Sequence, residues 1–207
     1  MTVAPATVVD TFSRNTGTTI GSADSGHAWT TNASVSVGTA HMAIISATNQ
    51  SRRYLRVEAG QDVANASMLA RFSYSSATAY PLTDMGPTLL HNASNTCYTL
   101  NIQGNYSEIA LQVHMNGTRY ELARSAFSLA KDTEYWVRFE VGPTYERAKV
   151  WRVGNSEPTN WTVYAYSRWN QSGAPSSGDA GWYVQGTRDA YTVDLHTYYY
   201  YSGQGYE

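Results

Sequence analysis

The chain has 207 residues, 42% of them apolar and 14% charged, with 14 Lys and Arg against 16 Asp and Glu for a formal net charge of −2. That length fits one large domain or two small ones and buries a core without covalent staples, while the charge balance excludes a nucleic-acid partner, which needs a concentrated excess of Lys and Arg. The single cysteine, Cys97, excludes an intrachain disulfide and a cysteine-based zinc site, and no apolar run approaches the roughly 18 residues of a membrane-spanning helix.

Thr (23), Ser (21), Tyr (17), Gly (16) and Asn (12) dominate the chain, residues that suit pleated surfaces and turns. Alternating apolar and polar residues predict strands over 7–12, 27–37, 41–46, 52–58, 67–74 and 97–102. Ile109, Leu111, Val113 and Met115 then alternate with Glu108, Ala110, Gln112 and His114. The Asn116-Gly117 pair that follows is the strongest short hairpin signal, and 118–124 returns. Residues 123–131 read as a helical turn or a loop. The clearest strand is 134–141, with Tyr135, Val137, Phe139 and Val141 on one face and Glu134, Trp136, Arg138 and Glu140 on the other. Gly142-Pro143-Thr144 turns the chain into a returning strand over 145–153. Strands over 161–168, 182–185 and 191–199 complete the set, and 170–181, rich in Ser, Gly and Pro, reads as structureless. With no long helix, repeat or linker, residues 1–207 form a single all-β domain, a sandwich or a barrel. The opening MTVAPATVVDTF lacks the basic-then-apolar order of a secretory signal.

Half-buried strands expose one face, which here would carry Arg52, Tyr54, Arg56, Arg71, Gln112, His114, Arg119, Glu121, Trp136, Arg138 and Glu140. Such a face either stacks and hydrogen-bonds sugars or is simply solvated. Tyr164, Tyr166 and Arg168 share a strand face with Trp169 just beyond, and with Trp136 and Arg138 they form the candidate ligand-binding set. Aromatics beside Arg suit a carbohydrate and equally a protein interface. Tyr198 to Tyr201 form a second aromatic run.

Catalytic patterns are missing. A glycosidase needs two carboxylates roughly 5–9.5 Å apart, and no Glu-x-Asp-x-Glu alternation occurs. Glu134 and Glu140 share a face but stand about 20 Å apart at strand rise. Asp132 and Glu134 sit at a strand entry, where solvated acids are common. No Gly-x-Ser-x-Gly elbow, phosphate loop or dinucleotide fingerprint appears, and the five His form no His-Glu-x-x-His pair. No enzyme activity and no cofactor are expected. Calcium is compatible with Asp24, Asp62, Asp84 and Asp179 in loops, although no EF-hand spacing links them. Asp10 and Arg14 read as a structural pair, Phe12 as core, and Trp29, Trp151 and Trp161 as packed anchors. Eight of the 12 Asn stand in Asn-x-Ser/Thr: Asn32, Asn49, Asn65, Asn92, Asn105, Asn116, Asn160 and Asn170. In a secreted eukaryotic chain these would accept glycans.

Two segments are more specific than composition. Residues 10–30, DTFSRNTGTTIGSADSGHAWT, carry Asp-x-Phe-x-Arg followed by Gly-x-Ala-Asp-x-Gly-x-x-Trp, and residues 136–165 run WVRFEVGPTYERAKVWRVGNSEPTNWTVYA, with VDLHTY at 193–198. Together these resemble minor tail proteins of actinobacterial phages, with Ile20 standing where that family often has Trp. The resemblance spans nearly the whole chain. It implies a concanavalin A-like (laminin G-like) jelly-roll β-sandwich of two antiparallel sheets, about 12–14 strands, with the first and last strands paired. It also implies a virion tail location on the extracellular surface of the particle and a non-enzymatic receptor-binding role toward a host cell-wall glycan, with multivalent display raising weak single-site affinity. A purely structural subunit packed on neighbouring tail proteins is the alternative, a secreted glycoside hydrolase a third reading, and a homo-oligomer is compatible with each.

Overall fold

The computed structural model describes residues 7–14, 17, 19–38, 43–47, 52–62, 65–76, 83–92, 96–104, 106–166, 173–186 and 191–202. Fifteen strands follow in chain order: β1 (Val8–Asp10), β2 (Trp29–Thr31), β3 (Ser34–Val37), β4 (Ala43–Ala47), β5 (Arg52–Asp62), β6 (Ala66–Ser76), β7 (Thr83–His91), β8 (Cys97–Gln103), β9 (Glu108–Met115), β10 (Thr118–Ala126), β11 (Tyr135–Val141), β12 (Glu146–Arg152), β13 (Val163–Ala165), β14 (Ser177–Gly186) and β15 (Tyr191–Ser202). Sheet one runs β13-β12-β11-β6-β15-β4-β3, with β1 also on β15, and sheet two runs β10-β9-β8-β7-β14-β5-β2. All pairs are antiparallel, and β1 pairs with β15 through Val8 and Tyr200. This is a jelly-roll β-sandwich.

The alternation read from the sequence builds the core. Val137 and Phe139 of β11 and Ala70 and Phe72 of β6 face Leu100, Leu111 and Trp182 of sheet two, all of them fully buried. Phe72 and Trp182 meet across the sheets with ring centroids 4.9 Å apart. A bulge in β15 between Leu195 and Thr197 switches its inward parity, so Leu195 is followed inward by Tyr198 and Tyr200. Half of the terminal tyrosine run is therefore core, and only Tyr199 and Tyr201 remain partly exposed. Asn116 (φ 51°) and Gly117 (φ 83°) form the hairpin turn that their dipeptide predicts.

Several expectations are corrected. The predicted strand 27–37 is two strands. β2 pairs with β5 in sheet two and β3 with β4 in sheet one, so the chain changes sheets at Asn32-Ala33. Asn32 holds the crossing by accepting the Tyr54 backbone N–H at 2.7 Å. Strand β7 is not among the predicted strands, yet it sits between β8 and β14. Residues 177–181 belong to β14 rather than to a structureless stretch, so Asp179 lies in a strand. The strand predicted over 161–168 is only Val163–Ala165; of the two readings of 123–131, the loop holds from residue 127 onward, while 123–126 continue β10.

The opening motif locks the two sheets at one end. Asp10 ends edge strand β1 with its side chain fully buried. Its carboxylate accepts the Phe12 backbone N–H at 2.8 Å, two Arg14 guanidinium bonds at 2.9 and 2.7 Å, and the Trp29 indole N–H at 2.6 Å. Asp24 joins the cluster through the Thr11 backbone and hydroxyl.

Asp10→Ala is expected to lower stability by about 3–5 kcal/mol, because the guanidinium and the buried indole N–H lose their acceptor. Gly86→Ala is expected to cost about 3 kcal/mol or more, because its Cβ would stand 1.9 Å from the Leu100 carbonyl oxygen. Urea denaturation of the purified variants measures both.

Candidate functional site

Of the sequence-predicted set, Trp136, Arg138 and Tyr164 lie on the outer face of sheet one, and Tyr166 follows just beyond β13. Trp136 on β11 faces Trp151 on β12, ring centroids 6.5 Å apart and nearly parallel. Tyr164 on β13 stands 4.5 Å from Tyr166, which is 88% exposed, and 6.2 Å from Tyr145. Arg138 was expected to be open. It is buried, and Glu157 reaches in from a loop to pair with its guanidinium through two bonds at 2.9 Å. Burial works against the Glu157 carboxylate, but Arg138 and Lys149 outweigh it and hold its pKa below the ordinary value. Arg147 and Lys149 lie over the Trp161 ring at 4.2 and 4.6 Å. Arg168 and Trp169 lie outside the described residues.

The face that resembles a binding site is the outer face of sheet two. The pleat sends Leu55 and Val57 of β5, Trp182 of β14 and Leu100 of β8 into the core. Their alternates Tyr54, Tyr183, Thr99, Asn101, Gln112 and His114 turn to the other side. Tyr54, Gln112 and His114 were expected on an open surface, yet all six are at least 95% shielded. Curvature accounts for it. Arg119 of β10 and Asp84 of β7 lie three strands apart in the sheet order, about 14 Å if the sheet were flat. Their side chains nevertheless meet at 2.9 Å. Tyr54 and His91, two strands apart, meet edge to face with ring centroids at 4.3 Å. The face is concave, and its floor is polar. Two-sided burial was invisible to a pattern that assumes one wet face per sheet.

The floor is also under-bonded. Tyr183 Oη donates to Asn101 Oδ1 at 2.6 Å. His114 Nε2 lies 3.4 Å from both Thr99 Oγ1 and Gln112 Oε1. Thr88 Oγ1, Asn101 Nδ2 and His114 Nδ1 are buried with no hydrogen-bond partner. Each such orphan costs about 1–3 kcal/mol, which a bound hydroxyl or water recovers. Burial, reinforced by Arg52 and Arg119, lowers the His114 pKa to about 3, so the imidazole is neutral. Burial pushes the Cys97 thiol up to about 12 and raises the Tyr54 hydroxyl above its ordinary value. The floor is thus uncharged at neutral pH, and it offers both donors and acceptors.

Acid pairs suited to hydrolysis are not assembled here: Asp84 is held by Arg119, and Glu108 and Glu121 both by Arg124. Among the described residues no three His, Cys, Asp or Glu cluster as metal ligands. Of the acids weighed for calcium, Asp24 is engaged by Thr11 and Arg14 and Asp84 by Arg119, a poor fit to a dication, and the Asp62 side chain lies outside the described residues. Among the Asn-x-Ser/Thr positions, Asn32 and Asn92 use their side chains to close loops.

No protein-family model matches the chain, and no curated protein matches it. Solved structures are similar in fold. The carbohydrate-binding module CBM66 from Bacillus subtilis superposes with TM-score 0.62 at 11% identity over 82% of this chain and 92% of that one. The exoplasmic/lumenal domain of VIP36, in its Ca2+/Man3GlcNAc-bound form, gives 0.57 at 10% identity over 86% and 85%. The GH43 protein BlXynB from Bacillus licheniformis gives 0.62 at 11% identity over 94% of this chain but 39% of that one. At these identities the likeness establishes a shared sandwich fold.

The buried imidazole sets a pH dependence. The unfolded His114 titrates near 6.5 and the folded one near 3. Between these values only the unfolded chain binds the proton, so stability is complete above 6.5 and falls as the pH drops below it. From pH 7 to pH 5 this amounts to about 2 kcal/mol. Urea denaturation at the two pH values is expected to show that loss, and His114→Gln to remove it. Thr88→Val is expected to leave stability unchanged or raise it by about 1 kcal/mol, because an unbonded hydroxyl is replaced by a methyl of the same shape.

Proposed function

We propose that the protein is a non-catalytic carbohydrate-binding module that takes a glycan on the concave face of sheet two. The observation that carries this reading is the concave outer face of sheet two, an uncharged floor of Tyr54, Thr88, Asn101, His114 and Tyr183 bordered by the more exposed Arg52 and Arg119. Sugars match such a surface, since their hydroxyls both donate and accept and their C–H faces lie against aromatic rings. Structural neighbours described as a carbohydrate-binding module and as a glycan-bound lumenal domain support it. The resemblance of residues 10–30 and 136–165 to actinobacteriophage minor tail proteins supports a setting on the virion tail, with a host cell-wall glycan as partner. Calcium, if it takes part, would act through loops rather than through Asp24 or Asp84.

A second reading, a structural tail subunit, is favoured by the other sheet. Tyr166 is 88% exposed beside Tyr164, and with Trp136 these rings form an aromatic border on sheet one that suits a neighbouring protein.

Fluorescently labelled, multimerised protein is expected to bind cell-wall polysaccharide of at least one actinobacterial host saturably. Thr88→Val is expected to weaken that binding several-fold while its melting temperature holds, since a lost hydrogen bond is worth about 1 kcal/mol. Binding in EDTA reads out calcium. Failure of folded, multimeric protein to bind any wall polysaccharide would move the assignment to the structural subunit.

A further inference from the structure

Strand β5 places Arg52, Tyr54 and Arg56 on the concave face, and its two arginines differ from the others there. Arg119 is neutralised by Asp84, and Arg124 by Glu108 and Glu121. Arg52 and Arg56 have no carboxylate within ion-pair distance among the described residues. Arg52 is held by neutral groups only: its Nε donates to Gln185 Oε1 at 3.3 Å, its Nη1 to Tyr54 Oη at 3.4 Å, and its guanidinium lies 6.0 Å from the Tyr183 ring centroid. Across the ladder Arg56 faces Thr30 and Gly181, the second of which offers no side chain. Glu58, next on the same face, is exposed and forms no ion pair among the described residues.

Two half-buried cations therefore border a floor that is neutral. A guanidinium partly stripped of water and left without a counter-ion is costly, and its planar fork matches a carboxylate or a phosphate. We infer that the ligand is an anionic saccharide whose carboxylate or phosphate pairs with Arg52 and Arg56 on the concave face. This deepens the glycan-binding reading and rests on it.

The full chain is titrated with polygalacturonate, its carboxyl-reduced neutral form, poly(glycerol phosphate) and poly-L-glutamate. At least one of the two anionic sugar polymers is expected to bind about tenfold more tightly than the reduced polymer, and Arg52→Gln and Arg56→Gln each to weaken it about tenfold. Arg152→Gln, exposed on sheet one, serves as the charge control and is expected to change nothing. Thermal melts establish that the variants fold, and Arg52→Lys, which keeps the charge but not the fork, is expected to recover part of the affinity. Preference for polygalacturonate assigns a carboxylate and preference for poly(glycerol phosphate) a phosphate. Equal binding of the reduced and native polymers, or loss in Arg152→Gln equal to that in Arg52→Gln, overturns the anionic assignment and leaves glycan binding standing. Poly-L-glutamate binding as tightly as the sugars overturns the saccharide part. Absence of binding to these polymers and to any wall polysaccharide overturns both readings together.

Discussion

Backbones approach one another in sheet two more closely than side chains would allow. A Cβ on Gly86 would stand 1.9 Å from the Leu100 carbonyl oxygen, and one on Gly181 2.1 Å from that of Leu55. Glycine inside a strand marks such an approach. Beside these glycines the ladder slips in β14 against both of its neighbours, and a bulge of this kind bends and twists a strand. The curl that results buries the second face of the sheet, brings Arg119 onto Asp84, and converts a surface into a recess. The candidate site depends on that bend, because a flat sheet would leave Asn101 and His114 hydrated.

The opening motif does something different. Asp10 belongs to sheet one through β1, and Trp29 begins β2 in sheet two, so their hydrogen bond ties the two sheets at one edge. Four donors converge on one buried carboxylate, and the strength of that arrangement lies in its completeness, since a buried charge stabilises only when its hydrogen bonds are made. The same accounting reads differently on the concave floor, where polar atoms are buried without partners. Unbonded buried polar atoms occur elsewhere as well, among them Arg14 Nε, Ser67 Oγ and the Tyr198 and Tyr200 hydroxyls, and the floor holds three of them on the neighbouring strands β7, β8 and β9.

Electrostatics divides the two outer faces in the same way. On sheet one the charged groups answer one another: Arg138 and Lys149 with Glu157, Arg147 with Glu140. On sheet two, Arg52 and Arg56 have no carboxylate partner among the described residues. Trp136, Tyr164 and Tyr166 drew attention in the sequence because aromatics and Arg cluster there. Arg138 turns out to be neutralised within that cluster, whereas the unanswered charge stands on β5, where the sequence shows merely an alternating strand.

Local periodicity determined most of the strands, the Asn116-Gly117 hairpin and the inward faces of β6, β9 and β11, because side-chain alternation is a property of neighbouring residues alone. The Asp10, Arg14 and Trp29 roles were legible for a related reason, since a short motif and a family resemblance both act over little sequence distance. Only the tertiary structure decided that β7 is a strand despite Gly86-Pro87, that 27–37 crosses between sheets, and that Tyr54, Gln112 and His114 are buried. Each of these depends on which strands become neighbours and how the sheet curves between them. Curvature arises from contacts between residues far apart in the chain, such as Gly86 with Leu100, and a periodic pattern carries no record of it.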